Sequence, residues 1–258
     1  FRFMPITGNI TFNSDEYSSS FSHDNETAKA GYYSVVLNDY NIKVELTSGD
    51  RAAMQRYTFP QTDNAHLIVE LQESNPSAET IHESFITIES DNAISGFRRT
   101  GQWAADQYLY FYAEFSEPFT GFGICSDNKE YPNMKHAEGK DLQAWLDFDV
   151  TDGAPITMRV ATSAVDVEGA KKNLAAEIND FDFDALAQKT YNYWNDELNR
   201  ININSTNEKD KTIFYTSLYH CFSVPNLYSD VDGRYRAHDK KVYQSDETRY
   251  TVFSLWDT

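Results

Sequence analysis

Apolar and polar positions alternate over short runs through much of this sequence. Ile42, Val44 and Leu46 alternate with Lys43, Glu45 and Thr47, and Leu146, Phe148 and Val150 alternate with Asp147 and Asp149. A period of two gives each run one apolar face and one wet face, the signature of a strand packed on one side. From Gly31 to about Val165 similar runs recur between turn residues, at Tyr32–Leu37, Leu67–Leu71 and Phe85–Ile88. This predicts mainly antiparallel β structure, with two sheets facing each other as a sandwich. Tyr108–Phe115 breaks the alternation and is aromatic almost throughout, which predicts a central strand packed on both faces.

Near Val165 the period changes. Val167, Ala170, Leu174 and Ile178 recur at helical spacing, and so do Leu186, Thr190, Tyr193, Trp194, Leu198 and Ile201 after a capping Asp182 or Asp184. A third helix is predicted from about Asp210, with Phe214, Leu218, Cys221 and Phe222 on one face, ending before Val224-Pro225 because proline restricts its predecessor. Strands followed by helices suggest two successive domains joined by the helices between Val167 and Arg200. The stretch after Arg200 is short for a compact domain, so the chain is expected to be an excerpt of a longer protein. Its helices are then expected to expose apolar faces.

Composition removes several function classes. The formal net charge of −18, spread along 258 residues, opposes phosphate backbones and anionic lipid surfaces, so neither nucleic acid nor membrane is an expected partner. There is no run of eighteen apolar residues and no basic stretch followed by an apolar one, so neither a spanning helix nor a signal peptide is read. Cys125 and Cys221 are too far apart for a local metal clip and are expected to be two buried thiols.

Candidate chemistry is sparse. The histidines lack zinc-site spacing, and neither a GxSxG elbow nor a phosphate loop occurs. Asp147 and Asp149 share a strand face, as paired glycosidase carboxylates do, although a solvated surface is the commoner reason for such a pair. Asp230-Val-Asp232-Gly233 matches part of a calcium loop, but Tyr228 would stand at position one and Asp239 at position twelve. A polar turn with Gly233 at positive φ, its aspartates bonding local amides, fits better. Trp256-Asp257 follows an apolar run and pairs a ring able to stack on a sugar with a carboxylate able to bond its hydroxyls; a buried Trp and a capping Asp would look the same. The sequons at Asn9, Asn25 and Asn204 match by a short pattern and decide nothing.

Taken together these segments resemble a known family. Met4-Pro-Ile-Thr-Gly8, Gly31–Leu37, Arg56-Tyr-Thr-Phe-Pro60, Ile94-Ser-Gly-Phe-Arg98, Trp103–Gln107 and Ala113-Glu-Phe115 look like the α-mannosidases of glycoside hydrolase family 92. The most distinctive stretches are Phe214–His220, Pro225–Arg236 and Tyr250–Thr258, in the family's order. The resemblance implies a β-sandwich over residues 1–165, incomplete at its start, a helical linker over 166–204, and the beginning of an (α/α)₆ catalytic barrel over 205–258. It implies an inverting exo-α-mannosidase that uses Ca²⁺ to hold terminal α-linked mannose of glycans, in a bacterial periplasm or at the cell surface.

By the same resemblance, the general acid, the general base and the calcium ligands are expected outside this stretch, which alone would be inactive. What carries over is Trp256-Asp257, expected to line the mannose subsite, and the neighbouring Asp232 and Arg234, expected on the substrate side or as loop-ordering residues. The alternatives are a carbohydrate-binding sandwich without catalysis and, more remotely, a phosphorylase of comparable layout.

Overall fold

The computed structural model describes residues 1–71, 79–102 and 105–251. Its first strands are β1 (Arg2–Thr7), β2 (Thr27–Lys29), β3 (Tyr32–Leu37), β4 (Ile42–Ser48), β5 (Ala52–Thr58), β6 (Ala65–Glu70) and β7 (Glu79–Ile88). They continue with β8 (Ala93–Gln102), β9 (Gln107–Phe115), β10 (Gly121–Ser126), β11 (Lys129–Pro132), β12 (His136–Gly139), β13 (Leu142–Phe148) and β14 (Ile156–Ser163). A short helix, α1 (Ser14–Tyr17), follows the first strand and buries Tyr17.

Two antiparallel sheets result, one of five strands ordered β1-β6-β13-β10-β11 and one of nine ordered β12-β7-β8-β9-β14-β5-β4-β3-β2. Between them lies a core that includes Leu67, Val69, Leu146 and Phe148 from the smaller sheet and Tyr57, Ile86, Ile94, Phe111, Phe115 and Met158 from the larger. This is the mainly β sandwich that the alternation predicts. Strand β9 is fourth of nine, with Phe111, Ala113 and Phe115 in the core and Tyr112 packed on its other face, so both of its faces are covered as expected.

Strand β13 stops at Phe148, so Asp149 is not on the strand face that holds Asp147. Asp149 instead accepts from the amide and hydroxyl of Thr151 at 3.0 and 2.7 Å, closing a turn, while Asp147 pairs with His66 Nδ1 at 2.6 Å. The structure therefore corrects the paired-carboxylate reading. The alternation ran on to Val150 because that side chain is buried, although it lies past the end of the ladder.

Three longer helices follow. Helix α2 (Val167–Glu177) is capped by Asp166, whose carboxylate accepts from Gly169 N, and it buries Ala170 and Leu174 against the outer face of the nine-stranded sheet. Helix α3 (Phe183–Leu198) is capped by Asp182 rather than Asp184 and buries Phe183, Leu186 and Thr190. Its second half meets α4 (Glu208–Cys221) through Trp194 and Tyr219, whose rings lie 4.8 Å apart. The apolar stripe past Thr190 is only partly covered among the described residues: Trp194 and Leu198 are half-buried, while Tyr193 is 58% and Ile201 49% exposed. For the same reason the expectation of two buried thiols fails at Cys221, which is exposed on the last turn of α4, while Cys125 is buried in β10. No helix of the described residues is long and apolar enough to cross a membrane.

Helix α3 is held to the sheet partly by charge. Glu45, 5% exposed, accepts from Arg56 Nε at 2.8 Å, from Arg56 Nη2 at 3.1 Å and from the Tyr32 hydroxyl at 2.8 Å, and pairs with Lys43 at 3.0 Å. Arg56 also bonds Asp184 and lies over the Phe183 ring. Burial pushes the Glu45 carboxyl up, but Arg56, Tyr32 and Lys43 outweigh it and bring it down to about 2. A depressed carboxylate contributes stability that is present above its ordinary value near 4.5 and is lost as pH falls toward 2. Glu45→Gln is expected to flatten this acid limb by about 1–2 kcal/mol. Urea titrations at several pH values check this, and an unchanged slope would remove Glu45 as its source.

Candidate functional site

Beyond α4 the chain runs through four short strands, β15 (Asn226–Leu227), β16 (Arg234–Arg236), β17 (Val242–Gln244) and β18 (Tyr250–Thr251), paired as β15–β18 and β16–β17. The turn before β16 contains Asp230 and Asp232, Arg234 opens the strand, and all three bond residues at or beside α2. Gly233 takes φ +81° there, as a tight polar turn requires.

Asp230 is buried, 3% exposed, and accepts from Ser163 Oγ at 2.7 Å and from Asn173 Nδ2 at 2.8 Å. Asn173 returns a bond by accepting from Val231 N at 2.9 Å. The aspartate thus bonds side chains of the sandwich and α2, not the local amides a simple turn would offer. Burial pushes its carboxyl above the usual range, against the pull of the Ser163 and Asn173 hydrogen bonds. Gly169 makes the approach possible, since a Cβ there would lie 2.2 Å from Asp230 Oδ2.

Arg234 donates through Nη1 and Nη2 to Asp166 at 2.7 and 3.2 Å, and through Nε to Asp232 at 2.9 Å. Asp232 also accepts from Lys172 Nζ at 3.0 Å and from Arg234 N at 3.2 Å. For Asp232, burial pushes upward but Lys172 and Arg234 outweigh it, so it lies below the usual carboxylate range. Asp166 behaves alike, with the Arg234 fork and the Gly169 amide outweighing burial. Both carboxylates are ionised at neutral pH.

Arg236 completes the attachment. Its guanidinium donates to the carbonyls of Ala164 and Val165 at 2.9 Å each and lies 4.3 Å from the centre of the Tyr108 ring. From the turn between β4 and β5, Arg51 Nε donates to Ser229 O at 2.8 Å.

A Ca²⁺ ion needs six or more oxygens free to converge. The aspartates of this turn do not fit it, because each is already engaged by protein donors: Asp230 by Ser163 and Asn173, Asp232 by Lys172 and Arg234. Among the described residues no group of three or more His, Cys, Asp or Glu is arranged to hold a metal. Asp232 and Arg234 are brought together, each with about a quarter of its side chain exposed. Trp256 and Asp257 lie outside the described residues. Asp166, Lys172 and Asn173 belong to this cluster and carried no local signal, since Arg234 and Asp166 are 68 positions apart.

The family model for the glycosyl hydrolase family 92 N-terminal domain matches residues 1–163, and that for the family 92 catalytic domain matches residues 169–258. No curated protein matches. Among solved structures, the family GH92 α-mannosidase BT3965 from Bacteroides thetaiotaomicron superposes with a TM-score of 0.92 at 33% identity, covering 98% of this chain and 36% of that one. A complex of BT3965 with mannoimidazole agrees equally well. The family GH92 inverting mannosidase BT2199 from Bacteroides thetaiotaomicron VPI-5482 gives a TM-score of 0.86 at 26% identity, over 96% of this chain and 33% of that one. The chain spans about a third of the length of these neighbours. With both family models matched in order and little of the sequence left outside them, the chain belongs to glycosyl hydrolase family 92.

Proposed function

We propose that this chain is part of a calcium-dependent, inverting exo-α-mannosidase that releases terminal α-linked mannose from glycans in the periplasm or at the cell surface. The observation that carries this reading is the likeness to a family GH92 α-mannosidase over 98% of this chain. The chain supplies the sandwich, the linking helices and the beginning of the catalytic domain.

In an inverting mechanism a carboxylic acid protonates the departing glycosidic oxygen while a carboxylate about 6.5–9.5 Å away activates water on the opposite face. Asp166, Asp230 and Asp232 are poorly suited to either role, because Arg234, Lys172, Ser163 and Asn173 already engage them. The proposed acid, base and calcium ligands are drawn from elsewhere in the full-length protein. Calcium, when bound, would hold mannose hydroxyls. Trp256 and Asp257 are proposed to line the sugar pocket.

Proton NMR of the full-length protein with a simple α-mannoside tests this reading. β-Mannose should appear first, and its release should stop on chelation and return with added Ca²⁺. Initial α-mannose would overturn inversion, and turnover unaffected by chelation would overturn the metal requirement. Absence of mannose in both conditions would favour a binding sandwich, and turnover that depends on phosphate would favour a phosphorylase.

A further inference from the structure

The segment from Ser229 to Thr251 has little core of its own. Its buried residues are Ser229 and Asp230, and its strands are two or three residues long. Directional polar contacts hold it to the sandwich and α2: the Arg234 fork on Asp166, Asp232 on Lys172, Asp230 between Ser163 and Asn173, and Arg236 on two carbonyls. The far end of the segment is tied back to its start. Tyr228 N and Ser229 N donate to Arg249 O at 2.9 and 3.2 Å, and Arg249 N donates to Ser229 Oγ at 3.1 Å. Strand β18 then pairs with β15, five residues before Trp256. Whatever fixes the turn at Arg234 therefore fixes the place from which the chain departs toward Trp256-Asp257.

Arg234 is the centre of this attachment. It joins the carboxylate of its own turn to the capping carboxylate of α2, and its planar fork gives the contact direction as well as charge. Asp166 in turn is held by the Gly169 amide at 2.7 Å. The clasp thus starts on a rigid helix end seated on the sheet and finishes on a segment within the part matched by the catalytic-domain model.

We propose that Arg234 is a positioning residue, which through Asp166 and Asp232 locks the Ser229–Thr251 segment to the sandwich and so sets the turnover of the sugar site that follows it. This rests on the mannosidase reading. It differs from a merely stabilising ion pair, which would change how much protein is folded and leave the folded enzyme's rate unaltered. A displacement of about 1 Å in a positioning element is enough to cost up to ~10²-fold in rate.

The test uses the full-length protein, comparing wild type with Arg234→Ala, Arg234→Lys and Asp166→Asn. Asparagine keeps an oxygen for the Gly169 amide and removes the charge that holds the fork, which provides a variant that folds if Arg234→Ala does not. Two readouts are taken well below the unfolding temperature: kcat and KM on an α-mannoside, corrected for folded protein, and hydrogen exchange across residues 226–251.

Arg234→Ala and Asp166→Asn are expected to speed exchange in that segment while the sandwich strands keep their protection. They are also expected to lower kcat by roughly tenfold with little change in KM, with Arg234→Lys in between. Unchanged exchange in the segment would overturn the lock, and faster exchange with wild-type kcat would overturn its role in turnover. A wild type that exchanges as expected but releases no mannose would overturn the functional reading, and with it the turnover half of the proposal, leaving the exchange data to decide the lock separately.

Discussion

Gly96→Ala is expected to destabilise the sandwich by about 3 kcal/mol. Gly96 lies on β8 opposite Ile86 of β7 and Phe111 of β9. A Cβ built on it would fall 2.4 Å from Phe111 Cε1 and 2.9 Å from the carbonyl oxygen of Phe85. Neither neighbour can easily retreat. Phe85 O is backbone of the adjacent strand, and the fully buried Phe111 ring is backed by Phe1 and Phe3, with ring centres 4.5 and 5.8 Å away. One methyl group would therefore push on both the ladder and the core.

For a domain of this size such a loss lowers Tm by roughly 6–12 °C. Urea unfolding should show a lower midpoint with an unchanged slope, since the surface exposed on unfolding stays the same. A variant as stable as the parent would mean that the ring has room to move.

The fold was largely legible because its signals are local. Alternation places Ile42, Val44 and Leu46 on one face of β4, and β3 occupies the Tyr32–Leu37 run end to end, but the β4 face read as wet is covered at Glu45 and Thr47, each 5% exposed. A side-chain oxygen beside the first turn marks a helix start, and Asp182 accepts from Ala185 N as such a cap should. What failed depended on the ends of elements or on what covers them. Val150 is buried without belonging to the ladder, so its alternation with Asp149 suggested a strand where the chain already turns. Cys221 shares an apolar face with Phe214 and Leu218, but periodicity cannot say whether anything packs on that face, and among the described residues Cys221 stays exposed.

The candidate site was legible only in part, for a related reason. Asp232 and Arg234 stand out in the sequence because they lie in a compact Asp-Gly-Arg turn. Their partners do not. Asp166 is 68 positions from Arg234, Lys172 is 60 from Asp232, and Asn173 is 57 from Asp230. All three gain their meaning only once α2 has packed on the sheet. The partial calcium loop was ambiguous because carboxylates at alternate positions before a glycine suit both a metal and a turn anchored by arginine and lysine. Only the donors supplied by distant elements separate the two.

Asp257→Ala in the full-length protein is expected to lower kcat/KM on an α-mannoside by about 10²–10³-fold, the largest catalytic effect expected within this stretch. A carboxylate that accepts from a sugar hydroxyl makes charge-assisted bonds of about 1.5–3 kcal/mol each, and removing it leaves those hydroxyls without their acceptor. Two such bonds account for the expected loss. Asp257→Asn keeps the shape and part of the acceptor capacity, so it should fall between wild type and alanine. Trp256→Ala should act mainly on KM, because stacking on the sugar face holds substrate and transition state alike, and uniform binding appears in KM more than in kcat. The competing roles are a buried tryptophan and a helix-capping aspartate, and they make a different prediction. A lost cap costs about 1 kcal/mol of stability and leaves the rate constants of the folded enzyme near wild type. Steady-state kinetics corrected for folded fraction, with thermal unfolding of the same samples, separates the cases: lowered Tm with wild-type kcat/KM in both variants would remove Trp256 and Asp257 from the sugar pocket, whereas lowered kcat/KM at unchanged Tm would support their place in it.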